Sequence, residues 1–290
     1  MRLRTAKIVA LSAPIFVGAA WLVSISLFGK GTGGVSLPSV AISAGETSAS
    51  SRPGSASTDK AMAEIPEGFH LTSNGATSAP TPTHWVPAFR IDRHEVTNAQ
   101  FAIFVTTTGY ITTAEQTGKG HVFVPKQNTW AAVAGADWRH PSGPDSSIAV
   151  RDEYPVVQVS YYDALAYARW AGKELPRDGQ WLRSARRRGE IPPPGNTFQG
   201  WYPLKDTARD GHQGLAPVAS FAANGYGLLD MHGNVREWCH NSLTTDGASP
   251  AVLLGLHWLS TDASGSTTQE PKEVSPDWCD DTTGFRCVTE

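Results

Sequence analysis

The sequence predicts an α+β domain with low regular secondary structure, and three observations carry that prediction. Past residue 61 the apolar residues fall mostly in short pairs separated by Gly, Pro, Asn and Asp, the pattern of turns and brief strands. Helix signals are few. The 290-residue chain holds 28 Gly and 10 Trp, a composition that suits a loop-rich globule pinned by aromatic anchors better than a helix bundle.

Three helices are expected. Thr97 can N-cap one that runs through Asn98, Phe101, Phe104 and Val105 and stops at Gly109. Phe101, Phe104 and Val105 share one face. Ser160, with Asp163 three residues on, forms a box-like cap for a second helix through Leu165, Ala168 and Arg169 that closes at Gly172. Pro176 starts a third, with Trp181, Leu182 and Ala185 on its buried face. Arg183, Arg186, Arg187 and Arg188 lie outside, a solvated basic run suited to a helix C-terminus.

The N-terminus reads as a targeting segment. Arg2, Arg4 and Lys7 precede an uncharged apolar run over residues 8–28, about as long as the ~20 residues that span a bilayer. Residues 1–30 are therefore expected to be a signal anchor or a signal peptide, with membrane contact through this segment and the body of the protein periplasmic, anchored in the inner membrane. Residues 31–61 are rich in Gly, Ser, Ala, Thr and Pro and cannot bury enough surface to offset their ordering entropy, so they read as a flexible linker. Residues 62–290 make one domain. The formal net charge of -3 leaves no electrostatic footprint for nucleic acid. Phosphate loops, G-x-S-x-G elbows and H-E-x-x-H helices are absent from the sequence, so kinase and hydrolase readings lack support. Cys239, Cys279 and Cys287 are an odd set in an oxidising compartment. One disulfide is expected among them, with its pairing open.

A series of blocks then carries a family resemblance. Residues 228–238 contain Gly233-Asn234-Val235-Arg236-Glu237-Trp238, and the chain closes on Gly284-Phe285-Arg286-Cys287. Before them come residues 62–69 as an opening strand, Ile91-Asp92-Arg93-His94-Glu95-Val96-Thr97-Asn98, Gly109-Tyr110 with Glu115, and Asp137-Trp138-Arg139-His140-Pro141-Ser142-Gly143-Pro144. Tyr154-Pro155-Val156-Val157-Gln158-Val159-Ser160 and Ala171-Gly172-Lys173-Glu174-Leu175-Pro176 follow. In this order the blocks resemble the formylglycine-generating enzyme, or sulfatase-modifying factor, family. The resemblance implies a fold related to C-type lectins with bound calcium. By position it places one calcium site on Asp230, Gly233, Val235 and Glu237, where carboxylates and backbone carbonyls give the hard oxygen cage that calcium takes. A second would use Asn196, Thr197, Asp210 and His212. The family's longer loop before Asn196 is replaced here by Ile191-Pro192-Pro193-Pro194-Gly195.

The family's catalytic residues do not carry over. Its Arg-Gly-Gly-Ser-aromatic strand falls on Leu254-Gly255-Leu256-His257-Trp258. The first copper-binding Cys falls on Ser260 and the second near Gly265, so the family site maps to His257, Trp258 and Ser260 without thiolates. A family Arg is also missing near Pro271 and Lys272, and a usual Trp is Arg236. Copper(I) prefers soft sulfur, so copper is not expected as a cofactor. The resemblance then implies an exported accessory or maturation factor for a periplasmic enzyme or small-molecule product, as in branches associated with copper nitrite reductase operons or with siderophore chromophore maturation. The alternative is a non-catalytic, calcium-stabilised binding or scaffold domain. A third reading is a new metal site on His232, Cys239, His240 and His257, set against surface histidines beside a disulfide. A catalytic site would keep an open polar pocket at His257. A plugged one would pack Trp258 and Leu256 across it and turn His257 to solvent.

Overall fold

The computed structural model describes residues 61–72, 81–185, 190–191, 193–241, 251–261 and 272–290. All of these lie in one compact unit, Arg52–Glu290. Residues 1–60, which hold the N-terminal segment and all but the last residue of the linker, and Arg186 to Arg188, Pro192, Gly265 and Pro271 lie outside the described residues. Among the described residues no helix is long and apolar enough to cross a membrane.

Four strands open the domain: β1 (Met62–Ile65), β2 (Gly68–Thr72), β3 (Thr81–Val86) and β4 (Phe89–Asp92). Helix α1 (Asn98–Thr108) starts where expected. Thr97 accepts the Gln100 N–H, Gln100 returns its side chain to the Thr97 N–H, and Gly109 ends the helix in the left-handed region at φ 68°. A one-turn helix α2 (Thr113–Thr117) follows, unforeseen, with a reciprocal box between Thr112 and Glu115 and its own stop at Gly118. The hairpin β5 (Lys119–Val124) and β6 (Thr129–Ala134) comes next. Helix α3 (Tyr161–Trp170) is capped by Ser160 and Asp163 as expected, and ends at Ala171, one residue before Gly172.

Helix α4 (Asp178–Ala185) begins two residues beyond Pro176 and buries Trp181 and Ala185. Arg183 corrects the expectation of a solvated basic face. Its guanidinium bonds the Tyr226 hydroxyl and the Pro66 carbonyl, tying α4 to the turn between β1 and β2.

The remaining strands are short: β7 (Gly200–Trp201), β8 (Lys205–Asp206), β9 (Arg236–His240), β10 (Ala251–Leu254), β11 (Lys272–Glu273), β12 (Thr283–Gly284) and β13 (Val288–Thr289). One sheet has the order β1-β4-β13 and joins the two ends of the domain. A second, β11-β10-β9-β12, places the two signature motifs side by side, with β12 parallel to β9 and Gly284 opposite Glu237. Alternation along β9 sends Trp238 and Cys239 into different apolar clusters. One cluster gathers Phe101, Phe104, Tyr167, Trp238 and Phe285. Another gathers Ile65, Ile91, Trp181, Cys239 and Leu254. A third and smaller one is Phe123, Phe198 and Leu259, with Trp130 and Trp258 against it.

Candidate functional site

The two signature motifs meet in a buried ionic cluster. Arg286 has no exposed surface, and its Nε and Nη2 reach Glu237 Oε1 at 3.0 and 2.8 Å. Nε also lies 2.8 Å from Glu237 Oε2, and Trp181 Nε1 donates to that oxygen at 2.7 Å. The other guanidinium donors go to the carbonyls of Asp92, Arg93 and Leu229. Burial acts against the arginine charge, but the Glu237 carboxylate outweighs it and holds the guanidinium protonated. Both carboxylate oxygens of Glu237 are thus engaged, and a guanidinium stands where a cation would approach. In this structure the carboxylate expected as a calcium ligand is held by Arg286 and Trp181.

Glu95 and Asp230 lie in the same cluster. Glu95 is fully buried. Its Oε1 accepts from Asn234 Nδ2 at 3.1 Å, while its Oε2 is buried without a partner. Asp230 Oδ2 accepts the Ala219 N–H at 2.6 Å, and its Oδ1 is likewise unpartnered. Burial, then the neighbouring Asp230 charge, pushes the Glu95 carboxyl well up. Burial also raises Asp230. Asp230 and Asn234 adopt left-handed φ values of 59° and 64°. Gly233 between them sits at φ 143°, and a Cβ there would lie 2.3 Å from the Asn196 carbonyl oxygen. Only glycine fits that approach.

The second set is partly assembled. Asn196 Nδ2 donates to the Gly214 carbonyl at 2.8 Å and to Asn234 Oδ1 at 3.0 Å, and its own carbonyl accepts the Asn234 N–H, so the two candidate sites share a wall. Asp210 Oδ1 accepts the His212 N–H, and its Oδ2 is buried without a partner. Thr197 is buried beside Asn196.

After β10 the chain turns at Gly255, φ 90°, into residues 256–260. His257 and Ser260 are both buried, at 4% exposure each. The His257 N–H donates to Ser260 Oγ at 3.0 Å, and His257 Nδ1 accepts the Leu259 N–H at 3.2 Å. Trp258 donates from its ring nitrogen to the Asp281 carbonyl and packs on the Phe123, Phe198, Leu259 cluster. The region is packed, as the plugged alternative requires, but its details are corrected. His257 is turned inward, with the Trp130 ring 6.2 Å away, and Leu256 is buried apart from this cluster.

Asp280 and Asp281 escaped the sequence reading. The adjacent acids just before the Gly-Phe-Arg motif were the only signal for them. Asp281 accepts the Phe123 N–H at 3.2 Å and the Trp130 ring N–H at 3.3 Å, and its carbonyl takes Trp258. It thereby joins the β5–β6 hairpin to the turn through His257 and Ser260. Burial, then the charge of Asp280, raises its pKa to about 7. Asp280 in turn accepts from Trp278 and Thr282. Burial lowers the pKa of Arg236 and Asp280 opposes that shift.

The four-residue metal set does not form. Cys239 is buried and His240 exposed, on opposite faces of β9. His232 Nε2 lies 3.1 Å from the Ala185 carbonyl, and His240 Nδ1 lies 2.9 Å from the Tyr161 hydroxyl. Among the described residues no group of three or more His, Cys, Asp or Glu is arranged to hold a metal. The expected disulfide is not formed either: all three cysteines are buried free thiols. Cys239 and Cys287 pack in separate apolar clusters, and burial raises all three thiols.

Fold and site together define a loop-dominated α+β protein whose two end motifs are locked by a buried Arg–Glu pair. The sulfatase-modifying factor enzyme 1-like domain matches residues 47–290, and the chain belongs to that family, the family of the formylglycine-generating enzymes. It is 42% identical over 210 residues to the formylglycine-generating enzyme of Thermomonospora curvata, covering 63% of this chain and 68% of the relative. It is also 36% identical over 266 residues to the inactive C-alpha-formylglycine-generating enzyme 2 of Mus musculus, covering 80% of this chain and 86% of that one. The match spans 66% of the Mycobacterium tuberculosis formylglycine-generating enzyme and 50% of the mouse one. Among solved structures, PvdO from Pseudomonas aeruginosa superposes with a TM-score of 0.50 at 22% identity, over 78% of this chain and 93% of that one. At that identity the likeness speaks for the fold alone.

Proposed function

We propose that this chain is a divergent formylglycine-generating-enzyme-like protein that works by binding. In this reading it is an accessory factor in the maturation of a periplasmic enzyme or product and does not convert cysteine to formylglycine. The observation that carries the reading is the His257–Ser260 turn. Where the family resemblance calls for a copper-binding thiolate there is a buried serine hydroxyl, already bonded by the His257 N–H. A hydroxyl does not replace sulfur toward copper(I). The basic flank and apolar run of residues 1–30 support placing the domain on the far side of the inner membrane.

Calcium is part of the same proposal. The unpartnered, buried oxygens of Asp230 and Glu95 fit a hard cation, with backbone carbonyls of Gly233 and Val235 completing the donor set. The ion would neutralise two carboxylates that burial disfavours as anions and would hold the turn through Gly233. Asp210 Oδ2 fits a second ion held with Asn196, Thr197 and His212.

The test has two parts. The protein is incubated with copper(I), oxygen and a sulfatase-type cysteine peptide, and the peptide is weighed; its mass is expected to stay unchanged, and conversion of the thiol to an aldehyde would overturn the reading. In a deletion strain, His257→Ala and Ser260→Ala are each expected to rescue fully. Asp281 favours a second reading, an altered enzyme, because a proton-carrying group sits beside the same turn. Failure of His257→Ala, Ser260→Ala and Asp281→Asn to rescue, with the variants folded, would select it.

A further inference from the structure

A cleft of about 560 Å³ adjoins the altered turn and is lined by Phe198, Gln199, Gly200, Trp201, Lys205, Thr207 and Arg209. Its volume falls within the roughly 300–1,000 Å³ of clefts that hold small ligands. Phe198 connects the two regions, since its N–H donates to the Ser260 carbonyl at 2.9 Å.

Three properties of the lining point to one kind of occupant. Its ionisable side chains are two exposed cations, Lys205 and Arg209, and no carboxylate lines it. Asp206, next to Lys205, is turned to the backbone, where its Oδ1 accepts the N–H groups of Gln199 and Ala208, and Asp210, next to Arg209, accepts the His212 N–H and does not line the cleft. Among the described residues neither cation is engaged by a carboxylate. In a chain of net charge -3, this is a local positive patch on a protein that is not basic overall. Trp201 is 78% exposed beside the cations, a large apolar face held in water by the β7–β8 hairpin. Gln199 Oε1 is buried without a donor, an unmet acceptor at the cleft.

We propose that this cleft binds an acidic peptide segment. Carboxylates of the peptide pair with Lys205 and Arg209, an apolar or aromatic side chain covers Trp201, and a backbone N–H meets Gln199 Oε1. Free phosphate has no apolar group to cover Trp201. Phosphatidylglycerol can offer a headgroup hydroxyl to Gln199 Oε1, so the vesicle arm of the test below separates it from a peptide. The proposal stands whether or not the chain catalyses a reaction, so its failure and that of the preceding reading are separable.

The full-length protein is titrated with a fluorescein-labelled hexapeptide of alternating Glu and Phe, and anisotropy is read. Binding is expected, weakening with added salt, and the matching Lys/Phe peptide should not bind. The double charge reversal Lys205→Glu with Arg209→Glu should weaken binding about tenfold or more, because attraction becomes repulsion. Trp201→Ala should weaken it about fivefold through lost contact area. All three side chains are exposed, and thermal melts check that the variants fold; Lys205→Gln with Arg209→Gln serves if the reversal does not. Absence of peptide binding, or equal binding by the charge variants, overturns the proposal. So does displacement of the peptide by inorganic phosphate or by phosphatidylglycerol vesicles at equivalent anion concentration.

Discussion

Asp281 is a carboxylic acid kept where its anion is disfavoured, with Asp280 adjacent and two N–H donors that only partly offset burial. Its folded pKa, about 7, lies above the unfolded value of about 3.9, so the folded state holds the proton more tightly. The stability this provides is complete below the unfolded pKa and is lost as pH rises through the folded one. Melting temperature is therefore expected to fall between about pH 4 and pH 7, with a shallower slope in Asp281→Asn. Identical slopes in the two proteins would remove this role. Arg286 and Glu237 make a second residue-scale prediction. Removing one partner leaves a buried charge unpaired, so Glu237→Gln or Arg286→Met should each cost about 3–5 kcal/mol in urea unfolding. A loss below about 1 kcal/mol would mean that water reaches the pair. Glu237 could be read in advance as important but not as this arginine's partner, because a separation of 49 positions says nothing of parallel pairing in the sheet.

Among the elements, caps were legible and sheets were not. Thr97, Ser160 and Gly109 act within a few residues of themselves, so α1 and α3 could be placed from local chemistry alone. Ser160 also carries tertiary load: its Oγ lies 2.7 Å from Thr113 Oγ1, and its cap partner Asp163 accepts from Tyr110 and Thr113. Ser160→Ala should cost near the upper end of the about 0.5–2 kcal/mol typical of cap loss, as measured by denaturant midpoint. A cost near zero would show that α2 and α3 do not depend on this link. Helix α2 showed the same Thr-x-x-Glu signature, but five residues are too few for an apolar period to draw attention to it. Strands of two to six residues, paired with distant partners, leave almost no period to detect.

For the whole molecule, calcium is the testable consequence of the orphaned oxygens. An ion that binds only the folded state raises the melting temperature by mass action. Calcium is expected to raise the melting temperature over chelator in the wild type, with the increment lost in Asp230→Ala and reduced in Glu95→Gln. Equal melts with calcium and chelator in all three proteins would remove the calcium proposal. Family, order of blocks and helix caps were determined by the sequence itself, because a motif or cap is chemistry written within a few neighbouring residues. So was the hydroxyl rather than a thiol at position 260, which follows from the side chain's identity. The tertiary structure decided the partners. It gave Glu237 to Arg286 and Trp181, left Glu95 beside Asp230 with unmet oxygens, separated the three thiols, turned His257 inward and lifted Asp281 to neutrality. Each of these depends on which distant segments share a buried, low-dielectric space, and that is a property of packing rather than of any local run of residues.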